Sequence, residues 1–217
     1  PYNRVLRFQK ALHMPEVKSI SGFMRAIRTV KSEAELAQIR QSAKIHAKVY
    51  KQIPELYRPG MTDLELQIEI EYVMRKHGSI GMFRSFGENM DIYMGNLLAG
   101  DNAQEASPFD FALGGKGIDP LLPLGSANKV LKPGTSVMID MAGNYTPYVS
   151  DLTRTFSVGK LPEEAYRAQQ LSIDINSQIA QFAKEGVACS DIYDRTMEIV
   201  AENKMEDYFM GTTQQAR

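Results

Sequence analysis

The sequence predicts an α+β domain, and three observations predict it. Apolar residues recur at helical spacing through the first third, behind two capping boxes. Two strand-like runs then flank a turn rich in Gly, Asn and Pro at residues 143–147. Two further helical segments close the chain.

Taken in order, Pro1 to Val30 show weak periodicity and read as a linker or the tail of a missing upstream domain. The chain begins without Met and stops at Arg217 with no capping signal, so a fragment is expected. Ser32 with Glu35 forms the first capping box. Leu36, Ile39, Ala43, His46 and Ile53 follow as one stripe, and Pro59-Gly60 ends the segment. Thr62 with Glu65 opens a second helix carrying Leu66, Ile70 and Val73, and Gly78 suits its left-handed stop.

Between Ser79 and Lys132, Gly and Pro are dense, and the apolar runs 92–94, 109–113 and 121–124 are short. Short strands and irregular loops are expected there. Ser136 to Ala142 and Tyr148 to Val158 read as a hairpin. Pro162 then precedes a helix with Tyr166, Ile173, Ile175, Ile179 and Phe182, and Ser190 begins another that runs to about Asn203.

Composition excludes several classes of function. There are 25 Lys+Arg against 26 Asp+Glu, so the basic excess that nucleic acid demands is missing. The longest uncharged run, Met141 to Ser150, is far short of the roughly 18 apolar residues of a membrane helix. Cys189 is the only cysteine, so no internal disulfide forms and a reducing, cytoplasmic setting fits. Pro1 to Lys10 have no apolar core and are not a signal peptide.

Asp140 and Asp151 are the candidates for carrying chemistry. In a hairpin symmetric about Tyr145 and Thr146 they oppose each other, with Cβ atoms about 4.5–5.5 Å apart. Two carboxylates there repel, and a divalent cation such as Mn²⁺, Mg²⁺ or Zn²⁺ reverses the sign of the interaction. Val137, Ile139 and Phe156 predict a partly buried site. Two alternatives stay open: a one-residue slip that turns one Asp to the other face, or separate pairing of Asp151 with Arg154 and of Asp140 with a backbone amide.

The string VMIDMAGNYTPYVSDLTRTFSVG, residues 137–159, resembles the metal-binding hairpin of the pita-bread metallopeptidases. KSEAELAQIRQSAKI (31–45) is similar to the helix that opens the catalytic domain in their aminopeptidase P and prolidase branch, and PGMTDLEL (59–66) resembles the start of the next. The resemblance implies a partial pita-bread catalytic domain over residues 31–217, with Asp140 and Asp151 as metal ligands. It implies two divalent metals, Mn, Co or Zn, held by two Asp, one His and two Glu, which acidify a water that attacks the scissile carbonyl. The expected activity is metal-dependent exopeptidase action on peptide substrates, of Xaa-Pro aminopeptidase or dipeptidase type, with a homodimer possible.

The family's His and Glu ligands lie beyond the region matching Arg217. The chain by itself is therefore expected to be inactive and to hold metal weakly, and no general base is assigned in it. A second departure is Leu122-Pro123-Leu124-Gly125, where relatives in the aminopeptidase P branch usually carry His at the position of Leu124. The alternatives are a non-catalytic peptide- or protein-binding module and a creatinase-like C–N hydrolase.

Other features read as structural. His13, His46 and His77 make no metal spacing. Gly114-Gly115-Lys116-Gly117 lacks the rest of a phosphate loop and reads as a flexible turn. Asn144-Tyr145-Thr146 is a chance glycosylation sequon, and Cys189 is expected in the core or packed at a helix start. Met74, Met82, Met90 and Met94 are expected to fill irregular packing space.

Overall fold

Residues 1–30 are more regular than their sequence promised. In the computed structural model they contain two helices, α1 (Tyr2–Leu12) and α2 (Ser21–Thr29). Val5, Phe8 and Leu12, and then Phe23 and Ile27, do repeat at helical spacing, but all five are exposed. Their periodicity is masked in the sequence by the basic residues between them. The structure describes residues 2–14, 18–84, 91–92, 94–105 and 114–209. Met90 and the run 109–113 lie outside them.

Two units divide the chain. The first holds Pro1–Ile53, Ile70–Gly95 and Met141–Leu152, and the second holds Pro54–Glu69, Asn96–Asp140 and Thr153–Arg217. Helix α3 (Glu33–Tyr50) starts at the predicted capping box: Ser32 Oγ accepts from Glu35 N, and the Glu35 carboxylate accepts from Ser32 N. Its buried residues are Ser42, His46, Val49 and Tyr50, whereas of the expected stripe Leu36 and Ile39 are half-buried and Ala43 is exposed. The helix also ends earlier than Pro59-Gly60. It stops at Tyr50, and a separate turn, α4 (Ile53–Leu56), follows.

Helix α5 (Asp63–Lys76) has the second capping box between Thr62 and Glu65, and Gly78 takes φ +98° after it. Asp63 opens this helix fully buried. Its carboxylate accepts from Leu64 N at 2.9 Å, Ala127 N at 2.9 Å and Lys129 N at 2.7 Å.

The strands are short until the hairpin. β1 (Phe83–Arg84) pairs antiparallel with β2 (Asp91–Ile92). β3 (Gly95–Ala99), β4 (Thr135–Gly143) and β5 (Ser150–Val158) form a three-stranded sheet in that order. Met74 and Met94 are buried as expected, whereas Met82 is 51% exposed.

The Gly114–Gly117 segment is not a loose turn. Gly117 N donates to Gly125 O at 3.3 Å, and Gly125 N donates to Gly114 O at 2.9 Å. Gly115 has φ +94°, and a Cβ there would collide with the Gly125 carbonyl oxygen. The glycines therefore serve close backbone approach. Gly115→Ala is expected to cost about 2–3 kcal/mol, measured as a lower midpoint in urea unfolding.

The last helices are α6 (Glu163–Phe182), behind Pro162, and α7 (Cys189–Glu202). No α6 residue is buried: Tyr166, Ile173 and Phe182 of the predicted apolar set are exposed, and Ile175 and Ile179 are half-buried. Cys189 sits at a helix start, as one of its two expected roles required, but it is exposed rather than packed. Among the described residues, no helix is long and apolar enough to cross a membrane.

Candidate metal centre

β4 reads Thr-Ser-Val-Met-Ile-Asp-Met-Ala-Gly, and its side chains alternate as a one-sided strand should. Val137, Ile139 and Met141 are buried, while Met138, Asp140 and Ala142 are half-buried. Burying one face fixes the parity, so Asp140 stands on the more open face of β4. There Thr153 Oγ1 donates to Asp140 Oδ1 at 2.9 Å. Asp151 lies two residues before Thr153 on β5, so these two side chains share one face of that strand. Asp151 is exposed, which is more open than the partly buried setting expected from Val137, Ile139 and Phe156.

The turn of the hairpin is held by side chains. Asn144 is 3% exposed, its amide donates to Met82 O, and its carbonyl accepts from Ser79 Oγ. That burial closes the formal sequon to a glycan. Tyr148 OH donates to Glu35 Oε1 at 2.8 Å. The Glu35 carboxyl is held below its ordinary range, first by the Ser32 backbone amide and then by Tyr148.

One side of α3 supports the same turn. Ser42 Oγ donates to Gly143 O at 2.6 Å, and Tyr50 OH donates to Leu152 O. His46 is 1% exposed and spans two partners: Met141 O at 2.9 Å from Nε2 and Tyr145 OH at 3.2 Å from Nδ1. A carbonyl only accepts, so Nε2 carries the proton and the Tyr145 hydroxyl donates to Nδ1. Gly143 makes room for this arrangement, since a Cβ there would lie 2.6 Å from His46 Cγ. The sequence reading placed His46 in an apolar stripe and missed its bonds. The signal was a polar residue recurring at 42, 46 and 50 on a buried face.

Burial pushes the His46 imidazole below its ordinary pKa, against weaker opposing effects of the Met141 carbonyl and the Asp151 charge. Burial also raises the Tyr145 phenol well above its usual range, so it stays a donor. A depressed histidine leaves the unfolded chain binding more protons below about pH 6.5. Its contribution is therefore present above that value and is lost as pH falls toward the folded pKa. In chelator-treated protein the wild type should lose urea stability between pH 7.5 and 5.5, and His46→Gln should lose less.

The donor set suits a hard or borderline divalent cation. A carboxylate offers about four lone-pair sites, so Asp140 can accept Thr153 and still ligate. Among the described residues, no three His, Cys, Asp or Glu side chains gather as one cluster. Leu124, at the position where His was expected by resemblance, is 4% exposed and has no polar group to offer.

Residues 37–213 match the profile of metallopeptidase family M24. The chain belongs to that family. The M24 assignment carries divalent metal chemistry with it in general terms. Over 210 residues the M24 chain is 25% identical to the Xaa-Pro dipeptidase of Pyrococcus horikoshii, covering 96% of this chain and 52% of that protein. The prolidase structure from P. horikoshii OT3 superposes with a TM-score of 0.74 at 23% identity, over 96% of this chain and 53% of that one. The X-Pro aminopeptidase structure from Thermotoga maritima gives 0.71 at 24% identity, over 92% and 49%. This M24 chain thus spans about half the length of the relatives it matches. Its architecture is that of a partial pita-bread catalytic domain in the aminopeptidase P and prolidase branch.

Proposed function

We propose that the protein is a metal-dependent exopeptidase that releases the N-terminal residue from peptides, with Xaa-Pro bonds as its substrate class. The observation that carries this reading is the M24 match across residues 37–213, which contains the hairpin bearing Asp140 and Asp151. Asp140 and Asp151 are the proposed ligands, supported by the Thr153 contact to Asp140 and by the i, i+2 relation of Asp151 to Thr153. Bound Mn, Co or Zn would supply Lewis-acid activation of water and of the scissile carbonyl. The chain's own part is to hold two carboxylates on a hairpin whose turn is fixed by Asn144, Ser79 and Ser42. Residues 1–30 are proposed as a linker ahead of a catalytic domain that begins near Lys31, since among the described residues α1 and α2 bury no apolar side chain. A reducing, cytoplasmic setting fits the single exposed thiol of Cys189.

The test is cleavage by the full-length protein of an Xaa-Pro dipeptide and of a longer peptide with Pro at its second position. Activity should vanish with chelator and return with Mn²⁺ or Co²⁺. Full activity after exhaustive chelation would contradict the reading. Leu124 favours a second reading, a peptide-binding module without catalysis, because a buried leucine neither donates a hydrogen bond nor moves a proton. Tight peptide binding with no cleavage in the presence of metal would select it.

A further inference from the structure

We infer that helix α3 positions the metal hairpin through a row of three donors, Ser42, His46 and Tyr50. The inference rests on the ligand reading of Asp140 and Asp151. The three residues are spaced i, i+4 and i+8, so they stand in one row along the helix. Each reaches a main-chain carbonyl of the hairpin: Gly143 at 2.6 Å, Met141 at 2.9 Å and Leu152 at 2.5 Å. Met141 directly follows Asp140, and Leu152 directly follows Asp151. Each proposed ligand therefore has its C-terminal neighbour tied to the same helix.

Packing alone does not call for this row. Ser42, His46 and Tyr50 are 0%, 1% and 5% exposed. A buried stripe needs only volume, and buried polar groups lose stability unless each is satisfied. Here each is satisfied by the hairpin backbone. The His46 ring is itself set by Tyr145, whose hydroxyl bond to Nδ1 leaves Nε2–H aimed at the Met141 carbonyl. The ring also packs edge-on against Tyr50, with centroids 4.9 Å apart, which couples two members of the row. Groups that orient metal ligands without touching the metal alter affinity about 10–100-fold when removed.

The test titrates Mn²⁺ calorimetrically into the chelator-treated full-length protein, with the melting temperature of the metal-free form measured alongside. His46→Leu should weaken Mn²⁺ binding by about tenfold or more. His46→Gln, whose amide N–H can replace Nε2–H, should restore affinity to within about threefold of wild type. Tyr50→Phe removes one oxygen and should weaken binding several-fold. A lower melting temperature with Mn²⁺ affinity within twofold of wild type in His46→Leu and Tyr50→Phe would overturn the inference. His46→Gln behaving like His46→Leu would assign the effect to ring packing and overturn it as well. If His46→Leu does not fold, Tyr50→Phe decides by the same affinity criterion. Asp140→Asn separates the two readings. Wild-type affinity in that variant sinks the ligand assignment itself, whereas weak binding there beside unchanged His46→Leu and Tyr50→Phe sinks only the positioning row.

Discussion

Asp140→Asn and Asp151→Asn should each lower metal-dependent Xaa-Pro cleavage by about a thousandfold while leaving the full-length protein folded. The substitution keeps the shape of the side chain and removes its charge. At Asp140 the amide oxygen can still accept from Thr153 Oγ1, so the strand contact survives. What goes is the charge of a proposed ligand, and with it the several kcal/mol of transition-state stabilisation that a bound metal would supply. At 1.36 kcal/mol per tenfold, about 4 kcal/mol corresponds to a thousandfold. The check is kcat/KM at saturating Mn²⁺, with circular dichroism and melting temperature as the measure of folding. Either variant retaining full activity would remove that residue from the ligand set.

The second large effect concerns stability. Asp63→Ala should destabilise the protein by about 4 kcal/mol, more than any capping change at the surface of α3. Asp63 is fully buried, and its carboxylate serves three backbone N–H groups, those of Leu64, Ala127 and Lys129. Asp63 N also donates to Lys129 O at 2.9 Å, so the start of α5 is stapled to the 127–129 loop from both directions. Truncation to Ala strands these donors out of water, and each buried unmet donor costs about 1–3 kcal/mol. The acidic group at a helix N-terminus is lost at the same time. Urea unfolding of Asp63→Ala against Asp63→Asn measures the effect. Asn can accept only part of the set, so it should fall between the wild type and Ala. Equal stability of all three would show that the staple contributes nothing.

The parts of the fold that follow local rules were legible in the sequence. Both capping boxes formed, because Ser32 with Glu35 and Thr62 with Glu65 need only a neighbour three residues away. The strands of the hairpin were placed within two residues, because β4 alternates cleanly and its turn residues are specific. Features that depend on distant residues were not legible. Ser42 had no place in the expected apolar stripe, and its buried partner, Gly143, lies 101 positions away. Ala43 took its place in the expected stripe because hydrophobicity alone ranks alanine above serine for burial. Gly114–Gly117 looked loose because nothing local predicts that residue 125 runs alongside it.

Within the candidate site, Asp140 and Asp151 stood out in the sequence by charge and spacing, whereas Thr153 did not. Its hydroxyl matters only because β5 brings it to Asp140. His46 was hidden for a related reason: at helical spacing a buried histidine looks like any core residue, and only its two partners reveal an oriented ring.

The most direct test of the account is the metal content of the full-length protein after gel filtration in Mn²⁺, read by elemental analysis for the wild type and for Asp140→Asn/Asp151→Asn. About two metal ions per chain are expected in the wild type, as the ligand set of the resemblance implies, and essentially none in the folded double variant. Equal metal content in the two proteins would contradict it, because the hairpin carboxylates would then not be what holds the metal.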